Sequence, residues 1–343
     1  MQKHTTDVVI IGAGPVGLFQ VFELGLQGLN AHIIDTLSAP GGQCVELYPD
    51  KPIYDIPAIP VCTGQELIDN LLAQIEPFSP VLHLDQEAIS LTKDDEGLFT
   101  VTTTKDTAIT CRAVIIAAGG GSFSPVKVRL DGLDQFLDSQ LFYRVKDPSI
   151  HKDRDLVILG GGDSALDWAI ALAPDARSVT VINRTERFRA AEASVNKLEA
   201  LSDAGQARIL YGVATGFTEK DGTLTDLEIR LRDEDRTVIS VPVDHLLVFF
   251  GMSPKLGAIE DWGLEFDKRL ITINQATYET SVPGIYAIGD INTYEGKKKL
   301  ILSGFHEAAL AAYAIKQQFE PDKKVAVQYT TTSKSLHEKL GVN

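Results

Sequence analysis

From Asp7 the chain reads "DVVIIGAGPVGLFQVFEL": four apolar residues, a glycine-rich turn, then apolar positions at helical spacing. A short apolar run bounded by glycine predicts a strand buried on both faces, and the 3.6-residue recurrence after it predicts a helix. The next apolar stretch, "NAHIID", ends at Asp35 and predicts a second strand, so the segment opens as a βαβ unit. Farther on, "SPVLHLDQEAISLTKDDEGLFTVTTTKDTAITC" alternates apolar and polar residues about a "DDEG" turn, which predicts short antiparallel strands. "AVIIAAGG", residues 113–120, closes the unit as a buried strand ending in glycine.

The same order of parts then recurs. "DLVILGGGDSALDWAIAL" (155–172) repeats strand, glycine turn and helix; "SVTVINR" supplies the second strand, "LTDLEIRLRDEDRTVISV" the alternating segment, and "HLLVFFG" (245–251) the closing strand. Self-similarity on this scale is an internal repeat of a whole nucleotide-binding unit. No third copy follows. "GIYAIGD" predicts one more strand ending in Gly289 and Asp290, and "SGFHEAALAAYAIKQQF" a helix without a sheet of its own. The simplest solution returns this tail to the first unit. The expected fold is therefore α/β, with two Rossmann-like nucleotide-binding domains, each three-layered with a parallel sheet and a small antiparallel meander. Residues 1–117 and 250–343 form one discontinuous domain and 118–249 an inserted one, joined by two crossings that can act as a hinge.

A length of 343 residues suits two domains, and 44% hydrophobic with 23% charged residues is the composition of a soluble globular chain. No apolar run approaches the ~18 residues of a membrane span. The N-terminal stretch enters a strand without the regions of a secretion leader, so the expected location is the cytoplasm. Cys44, Cys62 and Cys111 fit neither a disulfide framework nor a metal pattern, and read as buried thiols. A net charge of −15 argues against nucleic acid as a partner.

Gly12, Gly14 and Gly17 fit G-x-G-x-x-G between strand and helix, with Asp35 placed 23 positions after Gly12 to accept hydrogen bonds from a ribose diol. The helix N-terminus there meets a pyrophosphate. In the second copy Gly160, Gly162 and Ala165 give the G-x-G-x-x-A form, and the corresponding position holds Asn183 followed by Arg184. An acid would repel a 2′-phosphate, whereas an arginine pairs with it, so NADP is favoured over NAD. Arg189, and more weakly Arg187, can add to that clamp. In flavin proteins a late strand ending in Gly-Asp brings a carboxylate to the ribitol chain, and Gly289 and Asp290 are similar to that pattern. The first site should therefore take FAD and the second NADPH.

Together "IIGAGPVGL", "GGQCVELYPDKPIYDIP", "GGGDSALDWA", "NRTERFRAAE", "AIGDINTYEG" and "YTTTS" resemble the thioredoxin reductase-like flavoproteins, and within them the ferredoxin (or flavodoxin)–NADP reductases of that type. The resemblance covers nearly the whole chain. It implies FAD contacts from Asp35, Gln43, Tyr48, Ala88 through its backbone, Phe123, Asp290 and Thr331. Gly41 and Gly42 would let the backbone approach the flavin ring. Tyr48 would stack on one face, and Tyr329 would cover the other, on its own or the neighbouring subunit of a homodimer. No acid or base residue is assigned. Relatives often place two adjacent arginines where this chain has Arg184 and Thr185, and some have histidine or phenylalanine where Tyr329 stands.

Thioredoxin reductases would carry a CxxC just before the second glycine turn, but there is no cysteine from Leu141 to Gly162. Thiol exchange needs two nearby sulfurs, so electrons must leave directly from the flavin. The resemblance implies a ferredoxin or flavodoxin as the one-electron partner. From Ile291 to Asn343 eight Lys face five acids, the one positive region of the chain, so Lys297, Lys298 and Lys299 are expected to steer an acidic partner. Two rival readings stand beside this one: an NADPH-dependent reductase of quinones, dyes or oxygen, and a non-enzymatic redox sensor that binds both nucleotides.

Overall fold

The computed structural model describes residues 2–342 except Lys146 and Gln328, and for Phe123, Ser124, Met252, Ser253, Pro254 and Ser335 it describes no side chain. The chain divides into two compact units, Met1–Ser122 with Pro254–Asn343, and Phe123–Ser253. Sequence reasoning placed the crossings after 117 and 249; the units divide after Ser122 and Ser253, each inside a short strand, Ser122–Pro125 and Met252–Lys255.

In the first unit, five parallel strands lie in the order Ile285–Ala287, Ala113–Ile116, Val8–Ile11, Ala31–Ile34, Val81–His83. Successive residues of a strand point to opposite faces, so each strand serves two cores. Val8, Ile10, Ile33 and Ile115 pack against helices Pro15–Leu26, Gly64–Ile75 and Ile301–Phe319 through Leu18, Ile68 and Ala308. Val9, Ile11, Ile34 and Ile116 pack on the other face against Phe99, Val101 and Ile109. Those three belong to a second sheet, Gln2–Thr5, Thr107–Cys111, Phe99–Thr103, Ala88–Lys93. The unbroken "VVII" run is thus required by burial on both sides, with each fully buried side chain contributing roughly 1.5–3 kcal/mol. The strand Ile285–Ala287 lies beside Ala113–Ile116, which returns the tail to the first unit.

The second unit is one seven-stranded sheet, ordered Leu141–Phe142, His245–Val248, Asp155–Leu159, Ser178–Asn183, Arg208–Lys220, Thr223–Leu231, Val238–Pro242. Its first five strands pair parallel and the last three antiparallel. The 13-residue strand Arg208–Lys220 belongs to both parts, and register shifts after Ala214 and Thr218 let it bend from one to the other. Helices Asp163–Leu172 and Glu192–Asp203 cover the parallel part, with Ala165, Leu166 and Leu198 against Ile158 and Val181.

Candidate functional site

Each unit carries a glycine turn between its first core strand and the helix that follows. At the first, Gly12 has φ +112°, and a Cβ on it would stand 2.5 Å from the Ala117 carbonyl oxygen. A Cβ on Gly17 would stand 2.0 Å from the Gly12 oxygen, so the third glycine is what lets the helix close on the turn. Around Gly14 there is open space. Gly14 caps the helix without a side-chain hydrogen bond, Pro15 starts it, and its first turn holds no acid. The first N–H groups of the helix therefore face an uncapped concavity that suits an anion.

Asp35 arrives from the end of the next strand. Its Oδ2 accepts the Ala13 N–H at 2.5 Å and its Oδ1 the Leu37 N–H at 2.8 Å. Burial raises its pKa, and these backbone donors oppose the rise. An ionised carboxylate has about four acceptor positions, so the same group can take further donors from a ribose.

The other expected residues of this unit fall into two groups. Gly42, with φ +55°, would bring a Cβ to 3.0 Å from Gly14 Cα, which sets the Gly41–Gln43 loop on the first turn. The amide of Gln43 lies 3.5 Å from a Cβ built on Gly119, at the end of the Ala113–Ile116 strand. Tyr48 is half-buried, its Oη 3.7 Å from Cys44 Sγ. Burial pushes its phenol pKa up, with added repulsion from Cys44 and from Asp290. Gly289, beside Asp290, sits 3.6 Å (from a built Cβ) from Val16 at the start of the first helix. Ala88 is buried at the start of its strand, which follows a segment whose Gln86 N–H binds the Asp35 carbonyl. The glycine turn, Asp35, Gly42, Gln43, Tyr48, Ala88 and Asp290 thus gather at one end of the parallel sheet.

Tyr329 and Thr331 lie in the tail that leads into the last helix. Tyr329 is 72% exposed, and the residues after it cap the helix Lys334–Leu340, with the Ser333 hydroxyl accepting the Leu336 N–H. That helix docks beside Phe78, with Lys339 5.6 Å from the ring centroid. Phe78 in turn packs on Gly25, at the far end of the Pro15–Leu26 helix from the glycine turn. The side chain of Phe123 lies outside the described residues.

In the second unit Gly160 has φ +150°, a Cβ on it would lie 2.6 Å from the Phe249 oxygen, and Gly162 again faces open space. Ala165 is fully buried, its methyl 3.0 Å from the position a Gly160 Cβ would take. The segment after Asn183 folds back over this turn. Arg189 N–H donates to the Gly161 carbonyl at 2.6 Å, Ala191 N–H to Asp163 Oδ1 at 2.8 Å, and Asn183 Nδ2 to the Arg187 carbonyl at 3.2 Å. Thr185, where a second arginine was the pattern of relatives, turns its hydroxyl inward to the same carbonyl at 3.0 Å. Arg184, Arg187 and Arg189 are left exposed. Arg232, which sequence reasoning missed, reaches the same loop from the end of a β-strand and donates to the Arg184 carbonyl at 3.3 Å.

The lysine group needs correction. Lys297 is not a surface charge: its side chain is 6% exposed and pairs with the fully buried Glu307. Lys298 and Lys299 are exposed as expected. The acid opposite Lys297 was readable only as a lone Glu on an otherwise small and apolar helix stripe, Gly304, Ala308, Ala311 and Ile315.

A family profile described as pyridine nucleotide-disulphide oxidoreductase matches residues 6–317. The chain belongs to that family. Among its members it is 56% identical over 342 residues to "Ferredoxin–NADP reductase 2" of Cupriavidus necator, covering 100% of this chain and 92% of that protein. It is 56% identical over 341 residues to "Ferredoxin–NADP reductase" of Polaromonas naphthalenivorans, covering 98% and 93%. The fold is that of thioredoxin reductase from T. acidophilum, with a TM-score of 0.72, 22% identity, and 92% and 99% of the two chains covered. The bacillithiol disulfide reductase of Staphylococcus aureus matches equally, with a TM-score of 0.72, 20% identity and coverage of 94% and 100%. This oxidoreductase has no disulfide among its described residues: Cys44, Cys62 and Cys111 are all free and buried.

Proposed function

We infer that this chain is a ferredoxin–NADP reductase that moves electrons between NADPH and a one-electron carrier, ferredoxin or flavodoxin, through FAD and without a thiol step. The observation that carries the reading is the pairing of two glycine turns of unlike rim, one held by the Asp35 carboxylate and the other edged by exposed arginines, in a chain with no CxxC. Relatives of 56% identity bear the same activity in their names.

Both turns fit a dinucleotide: each has open space at its middle glycine and a helix start without a side-chain cap. In the first unit Gly12, Gly14 and Gly17 would bind a pyrophosphate, Asp35 a ribose, and Asp290 a ribitol. Gly42 and Gln43 would lie along the ring system, with Tyr48 against one face. In the second, Gly160, Gly162 and Ala165 would seat the NADPH pyrophosphate, and Arg184 and Arg189 its 2′-phosphate. Bound FAD supplies the conversion of a two-electron hydride donor into single-electron transfers. The protein's part is positioning, and no side chain has to give or take a proton.

Tyr329 is exposed in the single chain, which favours its covering the flavin of a second copy in a homodimer. A cytoplasmic location accords with three buried thiols, and no described helix is long and apolar enough to cross a membrane. Stopped-flow reduction with NADPH and with NADH, followed by transfer to purified ferredoxin and flavodoxin, tests the function. Fast bleaching by NADPH and onward reduction of either carrier is expected. Turnover with quinones or dyes alone, or binding of both nucleotides without turnover, would overturn it.

A further inference from the structure

Among the described residues Glu307 is the one carboxylate that is wholly buried, and it is fully engaged. Its Oε2 accepts the Gly289 N–H at 2.7 Å and Asn292 Nδ2 at 2.9 Å; its Oε1 accepts Tyr294 Oη at 2.9 Å and forms a close ion pair with Lys297 Nζ. Lys297 donates in turn to the Gly289 carbonyl at 2.9 Å. Asn292 donates also to the carbonyl of Ala287, the last residue of the final parallel strand, at 2.9 Å.

Gly289 is therefore gripped on both sides, its N–H by the acid and its carbonyl by the base, in a left-handed conformation of φ +76°. A buried charge pair is a poor choice for stability alone, because desolvation consumes most of the attraction. What this one does geometrically is fix both peptides flanking a single residue, and the next residue is Asp290.

We propose that Glu307 and Lys297 act together as positioning residues for the flavin, holding the Gly289 peptides so that the Asp290 carboxylate is presented to the ribitol in one orientation. The proposal rests on the reading of the first unit as the FAD site. Burial raises the Asp290 pKa; Lys297 and Lys299 oppose that rise and Glu307 adds to it.

The test uses the full-length protein stripped of FAD and titrated with it. Glu307→Ala strands a buried lysine and can unfold the chain, so the working variant is Lys297→Met with Glu307→Gln, which removes both charges at similar volume. Its apoprotein should melt close to the parent, while its FAD dissociation constant rises about tenfold or more. In an Asp290→Asn background the same pair of changes should cost less than about threefold, because groups acting through one another are not additive. Tyr294→Phe, which loses one hydrogen bond and no charge, should give a smaller step in the same direction. An unchanged dissociation constant, or an equal penalty with and without Asp290, overturns the positioning role. If the parent itself takes up no FAD, the reading of the first unit fails and this inference with it; if the parent binds FAD and the variant binds it equally, only the inference fails.

Discussion

The two glycine turns share a sequence pattern and differ in what locks them. At the first, the lock is a carboxylate from the neighbouring strand, Asp35 on the Ala13 N–H. A backbone bond from a returning loop closes both turns, Gly41 N–H on the Ala13 carbonyl and Arg189 N–H on the Gly161 carbonyl; at the second, Asn183 stands where Asp35 does and its Nδ2 holds the Arg187 carbonyl. A lock made from the next strand leaves an acid at the rim. At the second turn the returning loop leaves Arg184, Arg187 and Arg189 exposed there instead. The third position differs for a related reason: Gly17 has the Gly12 oxygen 2.0 Å from any added Cβ, whereas Ala165 fits beneath Gly160.

The largest expected break in that contrast is Gly17→Ala. The added methyl has only backbone to displace, so denaturant melts should show a loss of about 2–3 kcal/mol, with flavin lost from the purified protein. Arg184→Ala should act on the other turn alone. Losing a charged hydrogen bond of roughly 1.5–3 kcal/mol raises KM for NADPH about tenfold to a hundredfold, with KM for NADH unchanged in the same assay.

Acid should blur the comparison, because each unit buries a histidine pair. His32 Nδ1 lies 3.0 Å from His83 Nε2 in the first, and His151 Nδ1 2.9 Å from His245 Nδ1 in the second. Burial, with repulsion from neighbouring histidines, lowers His32 and His245 from 6.5 to about 4. The unfolded chain takes up these protons first, so the neutral pairs give their full stability above pH 6.5 and lose it as pH falls towards 4. Melting temperatures flat from pH 6.5 to 4.5 would contradict this. The smallest effect belongs to Ala165→Gly, about 1 kcal/mol in the same melts, from one buried methyl and a looser helix.

The parallel strands, both turns and the return of the tail were legible because burial on two faces writes itself as unbroken apolar runs such as "VVII" and "AVII". Lys297 was misread because two exposed lysines follow it, and the acid that draws it inward lies on another element. Arg232 was invisible for the same reason: its partner is a carbonyl 48 positions away, and carbonyls leave no mark in a sequence. The place of Tyr329 depends on the docking of a short helix on Phe78, which the polar tail did not announce.

The discontinuous first unit carries a consequence for biosynthesis. Residues 123–253 form their unit from one uninterrupted stretch, while the sheet begun at Val8 waits for its edge strand Ile285–Ala287 and for Asp290. At ~5–20 residues per second, the ribosome needs roughly ten to thirty seconds to travel from the first crossing to that strand. The insert, begun later, is thus ready earlier, and a nascent chain should acquire its nicotinamide pocket before it can retain its yellow pigment.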